Sequence, residues 1–469
     1  MKKLFVAKLS FLAWVLLCFG VFFSTSSYAQ NLATAQIDRN IPRFQQQVER
    51  MNQGDVDILW IGDSITNCWE STGKDVWEEY YGNRKAMNFG ISADHTAHVL
   101  WRLNNAPMEN ISPKIVILLI GTNNLGLKKP NSDEPFSTPA ETVEGVQAIV
   151  DRLTELYPET KILLMELFPR GAQANDPLRL GVNEVNTGLE AIYSHNAVDN
   201  VQLYNINELF LAEDGALSSD IMPDYLHLSE KGFELWAKAI EPMIADALEE
   251  TPEECQPAKV EVDWWTERFD EKNNLLKKGD VELLMVGDSI THFWDKTPYW
   301  EQDGSEIWRK YLDEFKAINL GHGGDRTQNI LWRLENYDFG NVNPKAAVLL
   351  IGVNNTWERN YDPKDVALGQ RRVVQKMREL FPDMKIFVLP IFPSTCREDQ
   401  QACNDAINAL TPFYMRDLEN VEFLDINKVF LNQDGVLTKD VMPDLLHPNA
   451  FGYELWGAAL YLPLKEAFK

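Results

Sequence analysis

Gly62-Asp63-Ser64-Ile65-Thr66 closes an apolar run from Ile58 to Ile61, and Gly287-Asp288-Ser289-Ile290-Thr291 closes another from Leu283 to Val286. A short buried strand that delivers a serine into a glycine-containing turn exposes a nucleophile at the end of an α/β sheet. The stretch decides the fold because its surroundings are duplicated with it. The chain reads as two versions of one domain.

The repeat extends outward in both directions. Upstream, Arg43-Phe44 matches Arg268-Phe269, and Gly54-Asp55-Val56 matches Gly279-Asp280-Val281. Downstream, Asn88-Phe89-Gly90 matches Asn319-Leu320-Gly321, and Leu100-Trp101-Arg102-Leu103 matches Leu331-Trp332-Arg333-Leu334. Gly121-Thr122-Asn123-Asn124 matches Gly352-Val353-Asn354-Asn355, and Phe168-Pro169 matches Phe392-Pro393. Met222-Pro223-Asp224 with His227 matches Met442-Pro443-Asp444 with His447. The offset is 225 residues at the serine, 231 at both asparagine motifs and 220 at the histidine. Length changes of that kind belong in loops between fixed motifs. So long a period means duplicated domains and not a solenoid.

Each copy of roughly 200 residues suffices to bury a core. Lys2, Lys3 and Lys8 precede an apolar run from Phe11 to Phe23, followed by Ser27-Tyr28-Ala29. That pattern reads as a secretory signal peptide over residues 1–29, since the run falls short of the ~20 apolar residues that span a bilayer. Domain one is expected over 31–250, a linker over 251–261 and domain two over 262–469. The linker reading rests on the acidic stretch Glu249 to Pro257, with its two prolines. The expected location is exported, periplasmic or extracellular, with no stable membrane insertion. Cys68, Cys255, Cys396 and Cys403 remain after cleavage. Cys396 and Cys403 are close enough in sequence for a local disulfide or two free thiols, and export permits either. A net charge of -26 works against nucleic acid as a partner.

Strand-like runs at Ile58–Ile61, Ala86–Phe89, Ile115–Ile120, Ile162–Leu167 and Val201–Ile206 alternate mostly with longer amphipathic segments. The second half repeats them at Leu283–Val286, Ala317–Leu320, Ala346–Ile351, Ile386–Ile391 and Val421–Ile426. The expected class is α/β: two tandem three-layer α/β/α, flavodoxin-like domains, each with a mostly parallel five-stranded sheet. Ser64, Gly90, Asn123 and their counterparts then converge on the carboxyl edge of each sheet, where such folds bind ligands.

A serine hydroxyl is a weak nucleophile until a base takes its proton, and the base needs a partner to fix its tautomer. His227 is the candidate base and Asp224 its orienter in domain one; His447 and Asp444 take the same roles in domain two. The chain has seven histidines, so matched placement in both copies is informative. Oxyanion donors are expected from the backbone N–H of Ser64 and Gly90 and the amide of Asn123, and from the equivalent Gly321 and Asn354. Each motif alone has a plainer reading: a tight turn at the serine, an Asx turn at Asn123, a helix cap at Asp224. Recurrence of the whole ordered set in both halves reverses that balance.

With these motifs the chain resembles two SGNH (GDSL-type) hydrolase domains. The stretches Asn88–Leu103 and Asn319–Leu334 further resemble catalytic subunits of platelet-activating factor acetylhydrolases. The resemblance implies a serine esterase that needs no metal, nucleotide or other cofactor. Ser92-Ala93-Asp94 departs from that branch, whereas Gly323-Gly324-Asp325 is closer to it. Neither copy carries a long apolar insertion, which favours a short acyl group such as acetyl. Aromatic residues follow each serine: Trp69, Trp77, Tyr80 and Tyr81, then Trp294, Tyr299, Trp300 and Trp308. They are either core or sugar-binding faces, and Trp69 and Trp294 are the candidate substrate-binding residues. The expected substrate is a small acyl ester or an acetylated glycan. The alternatives are a lipid acetylhydrolase or lysophospholipase, and an exported carbohydrate-binding protein with relict sites.

Overall fold

The computed structural model describes residues 31–469 except 130, 131, 133, 134, 195–197, 299, 302 and 358–360. The expected signal peptide and Tyr299 therefore lie outside the described residues. Domain one contains strands β1 (Ile58–Gly62), β2 (Ala86–Gly90), β3 (Ile115–Leu119), β4 (Lys161–Met165) and β5 (Val201–Tyr204). Its helices are α1 (Pro42–Met51), α2 (Ser64–Asn67), α3 (Lys74–Tyr81), α4 (Thr96–Asn105), α5 (Thr122–Gly126), α6 (Pro139–Leu156), α7 (Pro177–Tyr193) and α8 (Glu230–Ala247). Domain two repeats the plan with β6 (Leu283–Gly287), β7 (Ala317–Gly321), β8 (Ala346–Leu350), β9 (Lys385–Val388) and β10 (Val421–Phe423). Around that sheet lie α9 (Asp263–Lys277), α10 (Ser289–His292), α11 (Ser305–Tyr311), α12 (Thr327–Asn336), α13 (Pro363–Leu380), α14 (Gln400–Asn408), α15 (Thr411–Met415) and α16 (Ala450–Ala467).

Both sheets are parallel and have the same order, β2-β1-β3-β4-β5 and β7-β6-β8-β9-β10. Every residue of β1, β3, β6 and β8 is buried, as continuous apolar runs in a sheet covered on both faces require. Register levels the edge: Gly62 pairs with Gly90 and with Leu119, and Gly287 with Gly321 and Leu350. The next residues of all three strands in each domain thus leave the sheet side by side. Among the described residues, no helix is long and apolar enough to cross a membrane.

The apolar runs overshoot several strands. Leu167 and Phe168 stay buried after β4 ends, because Phe168 packs edge-on against Phe210 and Trp236, with centroids 4.8 and 4.9 Å apart. A second difference lies in residues 251–261, expected as an extended linker. Glu253–Cys255 forms a 3₁₀ turn whose Glu254 carbonyl accepts from Thr327 Oγ1 at 2.8 Å. Leu32–Thr34 forms the same turn in domain one, where Thr96 Oγ1 donates to the Ala33 carbonyl at 2.7 Å. The acidic stretch is the folded entry segment of domain two. Composition hid this because the contacts are made by its backbone.

The domains meet where α8 faces α13 and α15. Arg371 is buried there, donating to Asp417 at 2.6 Å and to Asp246 of domain one at 3.1 Å. All four described cysteines are free thiols, Cys396 accepting from Ser394 Oγ at 3.3 Å.

Candidate active site

Ser64 is the first residue of α2, immediately beyond β1. Asp63 caps the helix, accepting from the Ile65 N–H at 3.0 Å, and Asp288 does the same for Ile290 at 2.9 Å. These caps turn the chain at once after the strand, leaving the serine at the sheet edge with its own N–H outside the helical ladder. Burial pushes the Asp63 and Asp288 carboxyls up to about 7, against the capped N–H that favours the charged form.

The histidine arrives on the turn that enters the last helix of each domain. His227 Nε2 lies 2.9 Å from Ser64 Oγ, and His447 Nε2 lies 2.8 Å from Ser289 Oγ. On the far side of each ring, Nδ1 lies 2.7 Å from Asp224 Oδ2 and from Asp444 Oδ2. The other carboxylate oxygen of Asp224 accepts from the Leu226 and His227 N–H at 3.1 and 2.7 Å, with 3.0 and 2.7 Å for Asp444. Partial burial pulls both carboxyls upward, but hydrogen bonds from the histidine ring and these backbone N–H groups outweigh it. Both pKa values therefore lie below the ordinary carboxylate value. The turn forces Tyr225 and Leu445 to φ of 58° and 61°, a left-handed conformation that bulky residues seldom hold without outside restraint. The restraint is visible: the Tyr225 carbonyl accepts from Gly171 N–H at 3.0 Å, and that of Leu445 from Ser394 Oγ at 2.8 Å.

The oxyanion assignment needs correction at the glycines. The Gly90 N–H donates to Asn88 Oδ1 at 2.8 Å and the Gly321 N–H to Asn319 Oδ1 at 2.9 Å, so neither is available to substrate. Glycine is required there for closeness: a Cβ on Gly90 would lie 2.6 Å from the Asn67 nitrogen, and one on Gly321 2.3 Å from that of His292. Asn123 and Asn354 do stand at the edge. One amide hydrogen of each donates to the carbonyl of Asp94 or Asp325, at 3.1 and 2.9 Å, leaving the second for a ligand. Asn124 and Asn355 instead bind Thr96 and Thr327 within the fold. Among the described residues the N–H groups of Ala93 and Gly324 meet no acceptor. Both sit at positive φ, 64° and 77°, in the turn before Asp94 and Asp325. The signal for them was the Gly323-Gly324-Asp325 sequence.

Trp69 and Trp294 are also corrected. Both are fully buried and touch no solvent that substrate could displace. Trp69 packs against Phe233, Trp60 and Trp236 with centroids 4.5, 5.2 and 5.3 Å apart, and Trp294 against Tyr453 and Trp456 at 4.6 and 5.1 Å. Five residues past the serine, the chain has turned inward beneath the last helix. These tryptophans anchor the site from below.

The arginine of each Leu-Trp-Arg-Leu motif was a repeat marker in the sequence and is a strut in the structure. Arg102 is buried, donating to Asp94 Oδ2 at 2.8 Å, to the Phe89 carbonyl at 2.7 Å and to the Gly62 carbonyl at 3.3 Å. Arg333 makes the same three bonds to Asp325, Leu320 and Gly287 at 2.8, 2.7 and 3.3 Å. One guanidinium thus ties the serine strand, its neighbour and the loop that accepts from the asparagine. Removing one partner of a buried ion pair of this kind costs about 3–5 kcal/mol.

The chain is similar to several known proteins. A family model described as the GDSL-like Lipase/Acylhydrolase family matches residues 60–235 and 285–455. Platelet-activating factor acetylhydrolase IB subunit alpha2 of Rattus norvegicus is 38% identical over 200 residues, covering 43% of this chain and 81% of that protein. The alpha1 subunit of Homo sapiens is 33% identical over 188 residues, covering 40% and 75%. A GDSL-like lipase structure from Bacteroides thetaiotaomicron is 18% identical with a TM-score of 0.35, covering 44% of this chain and 97% of that one.

Proposed function

Because this chain belongs to the GDSL-like lipase/acylhydrolase family, as two tandem SGNH domains, and is a carboxylic ester hydrolase, we propose that each domain hydrolyses short acyl esters, acetyl above all, at its own triad. The observation that carries the proposal is the Ser–His–Asp chain of contacts, 2.9 and 2.7 Å in domain one and 2.8 and 2.7 Å in domain two. Ser64 or Ser289 Oγ attacks the ester carbonyl carbon as His227 or His447 Nε2 takes its proton. The carbonyl oxygen becomes an oxyanion, facing the serine N–H, the second amide hydrogen of Asn123 or Asn354, and the N–H of Ala93 or Gly324. The imidazolium, steadied by Asp224 or Asp444, returns the proton to the alkoxide leaving group. A water then repeats the sequence on the acyl-enzyme, with the same histidine as base.

The short acyl group is supported by the absence of a long apolar insertion in either repeat and by relatives that are acetylhydrolases. Export is supported by Lys2, Lys3 and Lys8 ahead of the Phe11–Phe23 run, and export fits an acetylesterase that acts on acetylated carbohydrates outside the cell. The platelet-activating factor relatives favour a second reading, an acetylated lipid. Acetate release from matched panels of acetylated glycans and lipids separates the two, while failure of a serine-reactive phosphonate to label the chain would remove both.

A further inference from the structure

Four differences between the repeats converge on one place, the rim of the domain-two site. Cys68, four residues after the first serine, becomes Phe293. Between Trp294 and Gly304 the chain is longer than between Trp69 and Gly73, and the added length carries Trp300. Helix α9 begins one turn earlier than α1, and that turn carries Trp264 and Trp265. Gly126, past the first asparagine motif, becomes Trp357.

Phe293 and Trp300 border the catalytic histidine, Trp264 borders the loop beside the serine, and Trp357 follows the site asparagine, its backbone N–H donating to the Asn354 carbonyl at 3.3 Å. Phe293 and Trp300 stack with centroids 5.7 Å apart and planes 10° from parallel, and they lie 5.0 and 5.3 Å from the His447 ring. Trp300 is held by its Nε1–H, which donates to the Pro448 carbonyl at 3.0 Å. On the serine side, a Cβ placed on Gly323 would stand 3.6 Å from the Trp264 ring edge and 3.9 Å from Ser289 Cβ. Trp265 donates to Asp325 at 2.6 Å, the role Arg39 fills toward Asp94 in domain one, which leaves Trp264 38% exposed. Trp357 is 50% exposed, with the Arg397 guanidinium 4.9 Å from its ring centre.

Domain one lacks such a rim, and arginines stand in its place. A Cβ on Gly126 would fall 2.0 Å from Arg170 Nη1, and Arg39 is committed to Asp94 and the Ser92 carbonyl. Its histidine side chain is accordingly more open, 34% exposed against 16% for His447. Trp264 and Trp357 are exposed and Phe293 and Trp300 half-buried, and a cluster of aromatic faces bordering a reactive serine suits a ligand surface. Flat apolar faces near a guanidinium suit a ring with C–H faces and hydroxyl edges.

We propose that the aromatic rim of Phe293, Trp300, Trp264 and Trp357 is an acceptor subsite for a pyranose ring, which makes domain two, and not domain one, selective for acetylated sugars. The proposal rests on the esterase reading of both triads. The test uses the full chain as Ser64→Ala, which keeps only domain two, and Ser289→Ala, which keeps only domain one. Each is assayed on ethyl acetate, p-nitrophenyl acetate and a mono-O-acetylated methyl pyranoside. The ratio of kcat/KM for the pyranoside to that for ethyl acetate should be at least about tenfold higher in domain two. Trp264→Ala and Trp357→Ala, added to Ser64→Ala, should each lower pyranoside kcat/KM ~3- to 10-fold through KM, with ethyl acetate unchanged. No ethyl acetate turnover in either serine variant would overturn the esterase reading itself. Ethyl acetate turnover with equal ratios in the two domains, or a domain-two preference confined to the aryl acetate, would overturn the sugar subsite and leave that reading standing.

Discussion

The two domains keep one machinery and surround it differently. Serine, histidine and aspartate hold the same contacts to within 0.1 Å, and the buried arginine strut makes the same three bonds. Yet the partner that braces Asp94 is Arg39, and the one that braces Asp325 is Trp265. Geometry at the reacting atoms therefore depends on where the acceptor is held and not on which donor holds it. The rim, outside that constraint, differs: the histidine is more open in domain one and bordered by aromatic rings in domain two. A site built from strand ends can change what it admits without changing what it does.

The largest effect that can break this comparison is loss of a nucleophile. Ser64→Ala or Ser289→Ala should lower turnover at its own site on the order of 10⁶-fold, as in dissected triads. Each triad is drawn entirely from its own domain, so the remaining site should work independently and the two single-variant rates should add to the parent's. Rates measured on a common ester check this; complete loss from either single substitution would show that the domains are not autonomous.

Trp69→Ala and Trp294→Ala should act on stability, costing about 3–5 kcal/mol each by emptying a packed aromatic site. Thermal unfolding should show the loss, while the protein still folded should bind ester with little change in KM. A raised KM with an unchanged melting temperature would restore these tryptophans to substrate contact.

These two residues mark the limit of what the sequence disclosed. The sheet, the duplication and the residues brought to each edge were legible, because strands buried on both faces write themselves as apolar runs and the motifs follow them directly. Direction of a side chain within a short helix was not: nothing in Ser64-Ile65-Thr66-Asn67-Cys68-Trp69 says that Trp69 faces inward, since both outcomes place an aromatic near a serine. Hydrogen-bond commitments were equally hidden. Gly90 looked like a free donor until Asn88, two residues earlier, claimed its N–H. The linker misread has the same origin, because proline and glutamate describe how a segment meets water and not where its carbonyls go.

Asn123→Ala and Asn354→Ala should lower kcat at their own sites by about 10²–10³, the cost of one oxyanion donor. The bond to the Asp94 or Asp325 carbonyl is lost too, so a small drop in melting temperature accompanies it. If that drop came with near-normal kcat, the amide would be a loop tie only.

Asp63 and Asp288 sharpen the comparison through pH. Their carboxyls titrate near 7 in the fold because of burial, above the ordinary 3.8. The stability this gives is fully present below pH 3.8 and is lost as pH rises toward 7, the folded state holding protons that the unfolded chain has released. Asn keeps the oxygen that caps Ile65 or Ile290 and removes the titration. The melting temperature of Asp63→Asn/Asp288→Asn should therefore gain on the parent between pH 4 and 8. A constant difference across that range would mean that the carboxyls are not held protonated.

The smallest expected effect tests a place where the turn beside the oxyanion differs between the domains. Ala93 and Gly324 occupy the same turn at positive φ, and an alanine held there carries a left-handed strain of about 1–2 kcal/mol that glycine does not. A Cβ on Gly324 would meet nothing within 4 Å, so only backbone strain distinguishes the residues. Ala93→Gly should stabilise domain one by about 1 kcal/mol, less whatever the freer unfolded chain takes back, and Gly324→Ala should destabilise domain two by a similar amount. Neither substitution removes an N–H, so kcat on ethyl acetate should change less than about threefold at either site, a difference well under 1 kcal/mol. Opposite signs in two unfolding experiments, with turnover nearly level, would show that the turn presents the same backbone donor in both domains. A large fall in kcat for Gly324→Ala alone would show instead that domain two relies on glycine's freedom during turnover, and that the two sites are less alike than their resting geometries.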